Sequence, residues 1–238
     1  MKGPFSPSAR RRGDIIVLSG LDGSGKSTQA ALCAERLVSE GIAAEALWNR
    51  WEPGLTAPAI RLAKRSLRAS SGPDGKGYPE FRDAKRRAMR GGPKRALWQI
   101  LVWSEYAWQV RRRLSRPMRR GAVVVSDRYV YDTLIDVAVN FSIPPRRMAD
   151  LMDHPLLALF PKPFLAIFID IDPDCGAARK SDGTPAAYLA DRREYYREMA
   201  RILDAPLVDG GRPVEAVFEA VWASLAAWRA ARPGKETR

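Results

Sequence analysis

Short apolar runs alternate with longer amphipathic segments along most of this chain. The strongest runs are rich in β-branched residues and nearly continuous, which is typical of strands buried on both faces of a parallel sheet. They are residues 14–19, 122–126 and 164–171, and weaker strand candidates are residues 43–48 and 206–208. Apolar residues at helical spacing predict helices over about residues 26–40, 94–120, 129–140, 186–203 and 214–231. This alternation predicts an α/β fold with helices on both sides of the sheet.

The chain length favours one domain, and several segments lack a core-forming pattern. With 238 residues, the chain has room for a single domain with insertions. We expect a disordered basic tail over residues 1–13, a folded domain over residues 14–232, and a second tail over residues 233–238. Within the domain, residues 70–93 are rich in Gly, Pro and basic residues, which predicts a mobile insertion.

Composition narrows the class of protein. Apolar residues make up 46% of the chain and charged residues 28%, so wholesale disorder is excluded. No apolar run approaches the length of about 18 residues that a membrane-spanning helix needs, and we expect no membrane partner. Two cysteines, Cys33 and Cys175, are too few for a disulfide framework, which favours a cytoplasmic location. The net charge of +13 points to anionic partners without choosing among them.

The first chemical motif follows the first predicted strand and opens the first predicted helix. Residues 20–28 read GLDGSGKST, which fits the pattern G-x-x-x-x-G-K-[ST] in the context that the pattern requires. Glycines let such a loop turn sharply around a phosphate chain, and the helix N-terminus adds positive charge. The motif therefore predicts a nucleoside triphosphate site with these contributing residues: Gly20, Asp22, Gly23, Ser24, Gly25, Lys26, Ser27 and Thr28.

The second motif is VVVSDRYVYD over residues 123–132. A carboxylate just beyond a buried strand is where P-loop proteins organise Mg²⁺, and Asp127 fits that role together with the Ser27 hydroxyl. Arg128 is placed to reach a second anionic group, although the pair Asp127 and Arg128 alternatively caps the next helix. The Asn-Lys-x-Asp tetrapeptide expected of a guanine-selective switch protein is missing from the chain, which weakens a GTPase hypothesis.

At these motifs the sequence resembles the thymidylate kinase family. GLDGSGKSTQ looks like the family's first motif, SDRY at residues 126–129 like its second, and WEPG at residues 51–54 stands where the family has an Arg-Glu-Pro-Gly loop. The resemblance covers residues 14 to about 223. It implies a P-loop nucleoside-monophosphate-kinase fold with a five-stranded parallel sheet and a lid, and Mg-ATP-dependent transfer of a phosphoryl group to a nucleoside monophosphate. It also implies that Asp22 approaches the acceptor sugar and that the protein is a homodimer.

A lid is expected over residues 176–193. Phosphoryl transfer needs cations aimed at the moving phosphate. Thymidylate kinases supply one from an Arg in the P-loop or from the lid, and here Ser24 occupies the P-loop position. The stretch around residues 175–201 offers Arg179, Lys180, Arg192 and Arg193, any of which alternatively lies on a solvated basic face. The predicted catalytic residues are Lys26, Asp127, Arg128, Arg179 and Arg192.

The acceptor side departs from the family pattern. The family's Ala-Asp-Arg-like triplet, whose Arg grips the monophosphate, corresponds to residues 104–106, which read Ser-Glu-Tyr. Trp51 replaces the Arg of the Arg-Glu-Pro-Gly loop, and Arg50 sits one position earlier, where a strand side chain faces the opposite way. Asp132 either takes an acceptor hydroxyl, orients Arg128, or lies on the helix surface. The predicted substrate-binding residues are Asp22, Arg50, Trp51, Arg128, Tyr131 and Asp132.

Two other hypotheses remain open. Basic residues crowd positions 61–95 and 111–120, which leaves room for a polynucleotide acceptor, or another phosphate-bearing one, although nucleic acid is not favoured. A non-catalytic nucleotide-dependent switch on a kinase scaffold is the third hypothesis. Aromatic residues also cluster near the expected acceptor pocket; rings there either stack on a base or fill the core, and we expect Trp98 and Trp103 to belong to the core.

Overall fold

A computed structural model of the protein describes residues 14–58, 92–180, 183–226 and 230, apart from the side chains of residues 92–95 and 98. The predicted tails at residues 1–13 and 233–238 lie outside these ranges. So do most of the predicted insertion at 70–93, most of the basic stretch at 61–95, and the Trp98 side chain. Where the insertion is described, at Gly92 and Pro93, both residues belong to a helix.

The described strands form one five-stranded, all-parallel sheet in the order β2-β3-β1-β4-β5. Their bounds are β1 Ile15–Gly20, β2 Ala44–Trp48, β3 Val123–Asp127, β4 Leu165–Asp170 and β5 Leu207–Asp209. Each coincides with a predicted strand to within one or two residues at either end. The predicted α/β class and the five-stranded parallel sheet are therefore confirmed.

Helices cover both sides of the sheet. They are α1 Lys26–Ser39, α2 Gly92–Arg119, α3 Val130–Phe141, α4 Met148–Met152, α5 Pro173–Ala178, α6 Ala186–Ile202 and α7 Val214–Ser224. The sequence did not predict α4, α5 or the 3-10 turns Pro145–Arg147 and Pro155–Leu159, because such short elements contain too few turns to show a periodicity. The final helix is continuous to Ser224, and residues 226 and 230 are also helical. Its predicted end at residue 231 lies outside the described ranges.

The core has two halves, one on each face of the sheet. Successive residues of a strand point to opposite faces. Accordingly, Ile15 and Val17 of β1 pack with α2, α3 and α6, while Ile16 and Leu18 pack with α1 and α7. Every residue of β1 is buried, which explains why its sequence is an unbroken apolar run rather than an alternating one.

The strand order brings the two chemical motifs together. β1 lies beside β3, with Leu18 in register with Asp127, so the residues that follow both strands emerge at the same edge of the sheet. The connection from β1 leads towards β2, whereas the connection from β3 crosses to β4 on the other side. Connections that leave neighbouring strands in opposite directions open a crevice at their carboxyl ends, where ligands of α/β proteins bind.

Among the described helices, none is both long enough and apolar enough to cross a membrane. Cys33 is buried and Cys175 is exposed, and both are free thiols.

Candidate active site

The loop between β1 and α1 has the backbone form that a phosphate-binding loop requires. Gly20, Gly23 and Gly25 all have positive φ, at 149°, 81° and 87°. A Cβ on Gly23 would also lie 2.2 Å from the carbonyl oxygen of Gly176 in α5, so only glycine fits there. Helix α1 begins at Lys26, immediately after the last glycine, and presents its positive N-terminal end to the loop.

Lys26 is buried beneath this loop. Its Nζ donates to the carbonyl oxygen of Leu21 at 2.5 Å and contacts Ser24 Oγ at 3.4 Å. Burial and the nearby Arg128 lower the pKa of Lys26 to about 8. The ammonium therefore lies inside the loop, with backbone carbonyl and hydroxyl oxygens as its partners. Ser24 is buried with it, whereas Ser27 and Thr28 are exposed at the start of α1.

Ser27 and Asp127 meet at the mouth of the crevice. Ser27 Oγ donates to Asp127 Oδ2 at 2.5 Å. The other carboxylate oxygen, Asp127 Oδ1, is buried and has no hydrogen-bond partner among the described residues. A buried oxygen of this kind is costly unless a ligand satisfies it. A hydroxyl and a carboxylate with an unpartnered oxygen are oxygen ligands of the type that Mg²⁺ prefers, so these residues fit that ion.

Arg128 has a strained backbone that its neighbours hold in place. Its φ is 69°, in the left-handed region that residues other than glycine rarely adopt. The Arg128 N–H donates to the carbonyl oxygen of Leu18 at 2.9 Å, and Ser126 Oγ donates to the Arg128 carbonyl oxygen at 2.6 Å. Asn49 Nδ2 donates in turn to Ser126 Oγ at 2.8 Å. This conformation aims the guanidinium back over the P-loop.

Two carboxylates flank the Arg128 guanidinium. It forms a hydrogen-bonded ion pair with Asp22 and contacts Asp132 Oδ1 at 3.4 Å. Burial alone would raise the pKa of Asp22, but the charges of Arg128, Lys26 and Arg50 outweigh it and lower that pKa. Burial opposes the charge of Arg128 as well, yet Asp132 and Asp22 raise its pKa above its already high ordinary value. The three side chains thus form one charged group.

Asp132 is buried, with 4% of its surface exposed, so the alternative of a helix-surface carboxylate is wrong. Besides Arg128, it accepts hydrogen bonds from Ser19 Oγ at 2.7 Å, from the Tyr129 N–H at 3.0 Å and from the Tyr196 hydroxyl at 2.9 Å. These donors fix the position of the Asp132 carboxylate, which in turn orients the Arg128 guanidinium. This contact is the one that the hypothesis of an orienting role for Asp132 requires.

A cleft opens beside Asp22 and Leu21 of the P-loop. Among the described residues, the charged and aromatic side chains that line it are Asp22, Arg50, Arg128, Asp136, Arg192, Tyr188 and Tyr196. Arg192 Nε donates to Asp136 Oδ1 at 3.0 Å, and Arg50 Nη2 lies 3.7 Å from Asp136 Oδ2. The arginines therefore arrive from three parts of the chain and face one space next to the phosphate loop. Anions bind readily to such a group of guanidinium ions.

Arg50, one of the predicted substrate-binding residues, lines this cleft despite its displacement by one position from the family's arginine. It lies after the end of β2, in an irregular segment where the two-residue alternation of a strand no longer applies. The Trp51 ring, which the sequence placed among the substrate-binding residues, packs partly buried against the core instead. Tyr131 is buried in that core beside Tyr129 and Phe168, so the structure does not bring it to the cleft.

The family triplet position has a different use in this chain. Glu105 Oε1 accepts hydrogen bonds from the backbone N–H groups of Gly54 and Leu55, and its Oε2 accepts from Thr56 Oγ1 at 2.7 Å. Burial would raise the pKa of Glu105, but the bonds from Thr56 and from the Leu55 backbone outweigh burial and lower it. Glu105 thus anchors the WEPG loop, a role that the sequence comparison did not predict.

Further along α2, the side chains of Gln109 and Arg113 continue the same stripe at intervals of four residues. Gln109 forms two hydrogen bonds with the backbone of Glu52. Arg113 donates to the carbonyl oxygen of Arg50 at 3.0 Å and to Glu52 Oε2 at 2.5 Å. The signal was available in the sequence as polar residues spaced i, i+4, i+8 along the helix. Part of the basic run at 111–120 therefore holds backbone rather than a polyanion.

The candidate lid cations differ in where they point. Arg192 is 6% exposed and lines the cleft. Arg179 donates to the carbonyl oxygen of Gly210 at 2.8 Å and is not among the cleft-lining residues. Arg193 is bonded to Asp170 at 2.9 Å and to Asp172 at 3.3 Å, at the end of β4. Residues 181 and 182 of the expected lid lie outside the described ranges.

The chain is similar to proteins named thymidylate kinase. It is 27% identical to one from Synechococcus sp. (strain JA-3-3Ab) over 87% of this chain and 93% of that protein. It is 28% identical to one from Alkalilimnicola ehrlichii over 90% and 93%, respectively. The structure of thymidylate kinase from Candida albicans matches with a TM-score of 0.59 and 19% identity, covering 93% of this chain and 94% of that one. No family model matches the sequence.

The fold is that of the P-loop nucleoside-monophosphate kinases. This agreement confirms the expectation drawn from the sequence motifs about the architecture. It also matches the internal evidence of the site, in which a P-loop and an arginine-lined cleft lie side by side at the carboxyl edge of the sheet.

Proposed function

We propose that this chain transfers the γ-phosphoryl group of ATP to a nucleoside monophosphate. The observation that supports this most directly is the convergence of Arg50, Arg128 and Arg192 on a cleft that shares Asp22 with the P-loop. A protein that only bound or hydrolysed ATP would need the loop, but it would not need a second set of guanidinium groups facing a neighbouring space. A second phosphate-bearing molecule fits that space.

On the donor side, the loop backbone and the N-terminus of α1 bind the triphosphate. Lys26 leaves the Leu21 carbonyl oxygen, to which it donates in the free protein, and neutralises the terminal phosphates instead. Ser27 and Asp127 would hold Mg²⁺, which would stabilise negative charge on the transferred group. Arg192 approaches from α6, on the lid side of the cleft. Preorganised cations of this kind act mainly on charge that develops in the transition state.

On the acceptor side, Arg128 aligns the monophosphate, and Asp22 accepts a hydrogen bond from its sugar hydroxyl. The acceptor we propose is dTMP, which would give dTDP. The names of the relatives support this choice, as does their similarity along nearly the full length of the chain. This chain lacks the triplet arginine with which the family grips the monophosphate. Arg50, which lines the cleft, is the cation that replaces it.

A steady-state assay with Mg-ATP and a panel of deoxy- and ribonucleoside monophosphates tests the proposal. We expect dTMP to have the highest kcat/KM, and Lys26→Ala to lower kcat at least about 100-fold. A different preferred monophosphate would overturn the assignment of dTMP alone. Absence of turnover with every monophosphate would overturn the kinase assignment, and transfer of label from ATP to a 5′-hydroxyl oligonucleotide would favour the polynucleotide hypothesis.

Substitution of Asp127 tests the catalytic role of the metal site. We expect Asp127→Asn to lower kcat about 100-fold and to raise the Mg²⁺ concentration needed for half-maximal rate, because the amide is a weaker ligand than the carboxylate. Asp153→Asn, at an exposed carboxylate, serves as the matched control. A fully active Asp127→Asn variant would instead support the hypothesis of a non-catalytic switch.

We also propose that two copies of this chain associate through α2. Leu97, Ile100, Leu101 and Trp108 are 59%, 49%, 50% and 56% exposed, respectively, and their spacing places them on one side of the helix. A patch of large apolar side chains on a helix is typical of an interface. A second copy presents the same patch, so the contact would be self-complementary about a two-fold axis.

A further inference from the structure

Asp136 occupies the cleft between two arginines. It lies on α3, one turn after Asp132, and 31% of its side chain is exposed. Arg192 Nε donates to its Oδ1 at 3.0 Å, and Arg50 Nη2 lies 3.7 Å from its Oδ2. The two arginines come from segments about 140 residues apart in the sequence, so Asp136 is the side chain that joins them.

Arg192 is held firmly, whereas Arg50 is held loosely. The guanidinium of Arg192 lies 3.5 Å from the centre of the Tyr188 ring and donates to the Tyr188 carbonyl oxygen at 3.0 Å. Only 7% of the Arg192 side chain is exposed, compared with 39% for Arg50. The backbone of Arg50 is fixed by Arg113, which donates to its carbonyl oxygen. Arg50 is therefore anchored at its backbone, with its charged end directed by Asp136.

The balance of charge distinguishes the two ends of the cleft. Around Arg128, two carboxylates face one guanidinium, and the charge of Lys26 also acts on both carboxylates, so that group has no formal excess of positive charge. Around Asp136, two guanidinium ions face one carboxylate, so that group has a formal excess of positive charge. A dianionic phosphate is attracted to this excess of positive charge.

We propose that Asp136 is a positioning residue that holds Arg50 and Arg192 as a pair for the phosphate of the acceptor. Two guanidinium ions facing the same space repel each other, and a carboxylate between them reduces that repulsion and fixes their orientation. This inference rests on the proposed function, since it assigns the phosphate of the monophosphate to one end of the same cleft. The phosphate must also face the P-loop, because one of its oxygens receives the γ-phosphoryl group of ATP.

The test compares Asp136→Asn with Asp136→Glu in the full-length protein. We expect Asp136→Asn to raise the KM of the monophosphate about tenfold while the KM of ATP stays within twofold, because a charged hydrogen bond to Arg192 is lost. Asp136→Glu keeps the charge and should recover most of that loss. An unchanged monophosphate KM in Asp136→Asn, or equal changes in both KM values, would overturn the proposal.

A binding measurement separates this inference from the kinase assignment. Calorimetric titration with dTMP and with thymidine, both without ATP, compares a ligand that has the phosphate with one that lacks it. We expect Asp136→Asn to weaken dTMP binding about tenfold and thymidine binding less than twofold. Equal weakening of both ligands would contradict the proposal. Binding of dTMP with this dependence but without turnover would leave the positioning role intact and overturn the kinase assignment.

Coupling between the residues provides a second test, and its first variant, Arg50→Ala, leaves Asp136 in place. Arg50→Ala alters a partly exposed side chain and should raise the monophosphate KM about fivefold. If Asp136 acts through the arginines, Asp136→Asn combined with Arg50→Ala and Arg192→Ala should change KM less than twofold relative to the double arginine variant. Fully additive effects, or an Arg50→Ala variant with wild-type KM, would show that Asp136 does not position this pair.

Discussion

At the scale of single residues, Arg128 combines an unfavourable backbone with a demanding charge environment. Its positive φ is maintained by a chain of hydrogen bonds from Asn49 through Ser126 to its carbonyl oxygen. Its guanidinium is shared between Asp22 and Asp132. Strain of this kind persists only where surrounding structure over-determines it, and it is common at functional sites. The strained backbone at Arg128 thus lowers the stability of the fold, and it fixes the direction of the Arg128 side chain.

Two substitutions at this position separate the backbone cost from the side-chain role. Arg128→Ala and Arg128→Gly both remove the guanidinium, so we expect both to lose nearly all phosphoryl transfer. Glycine adopts positive φ without strain, so Arg128→Gly should be more stable than Arg128→Ala by about 1 kcal/mol. Urea unfolding monitored by circular dichroism measures the difference. An alanine variant as stable as the glycine variant would show that the strain is relieved elsewhere.

At the scale of secondary-structure elements, α2 acts as a support for the segment after β2. Its side chains at positions 105, 109 and 113 form one stripe that binds the backbone of residues 50–55. Arg50 lies within that segment, so α2 determines the position of the Arg50 backbone, from which its guanidinium extends into the cleft. A loop that would otherwise vary in conformation is thereby attached to a rigid element.

We expect Glu105→Gln to lower the free energy of unfolding by about 1–2 kcal/mol at neutral pH, because its amide NH₂ group faces the Thr56 hydroxyl and the charge is lost. Folding lowers the pKa of Glu105 below its ordinary value of 4.5. Its stabilising effect is therefore complete above that value and disappears as the pH falls through the folded pKa. The difference from wild type should shrink accordingly in urea titrations performed across that acidic range.

Glu45→Gln, at an exposed position of β2, is the matched control for this measurement. We expect its free energy of unfolding to stay within about 0.5 kcal/mol of wild type at every pH. If the Glu105→Gln difference were independent of pH, the loss would come from packing rather than from the ionised carboxylate.

Helix α6 carries two adjacent arginines with different partners. Arg192 lines the cleft, whereas Arg193 is bonded to Asp170 and so fastens α6 to the end of β4. We expect Arg192→Ala to lower kcat/KM about 100-fold. Arg193→Ala should keep kcat/KM within twofold and lower the free energy of unfolding by about 1 kcal/mol. If Arg193→Ala lowered kcat/KM and Arg192→Ala lowered only the free energy of unfolding, the catalytic lid cation would be Arg193 rather than Arg192.

At the scale of the whole molecule, the exposed apolar stripe of α2 predicts association. We expect the protein to sediment as a dimer and Leu101→Glu to shift it to the monomer, because the substitution places a charge in the proposed interface. Val38→Glu changes an exposed apolar residue on α1, outside the patch, and should leave the dimer intact. Sedimentation of the wild type as a monomer, or of Leu101→Glu as a dimer, would contradict the prediction.

The sequence predicted the strands and longer helices well because their signals are local. β1 and β3 are continuous apolar runs, and the P-loop has a fixed spacing between Gly20 and Lys26. The strand order was not readable in this way, since the apolar pattern of a strand does not reveal its neighbours. The short helix α5 also went unpredicted, although it contacts the P-loop through Gly176.

The acceptor side was harder to predict because its orientation depends on tertiary structure. Helical spacing groups Asp132 with Asp136 and separates both from Tyr131, which explains why the tyrosine lies in the core. That signal was present in the sequence. The orientation of Arg50 was not, because the irregular segment after β2 is directed by contacts from α2, a helix that begins more than 40 residues later.

The contact between Gly23 and Gly176 has a mechanical consequence. The two backbones touch where the P-loop meets α5, and a Cβ on Gly176 would itself approach the Asp22 carbonyl oxygen to 2.9 Å. No side chain stands between them to absorb a displacement. We therefore expect a displacement of the P-loop on triphosphate binding to move the start of the segment that leads towards Arg192. We propose that donor binding is communicated in this way to the segment predicted as the lid.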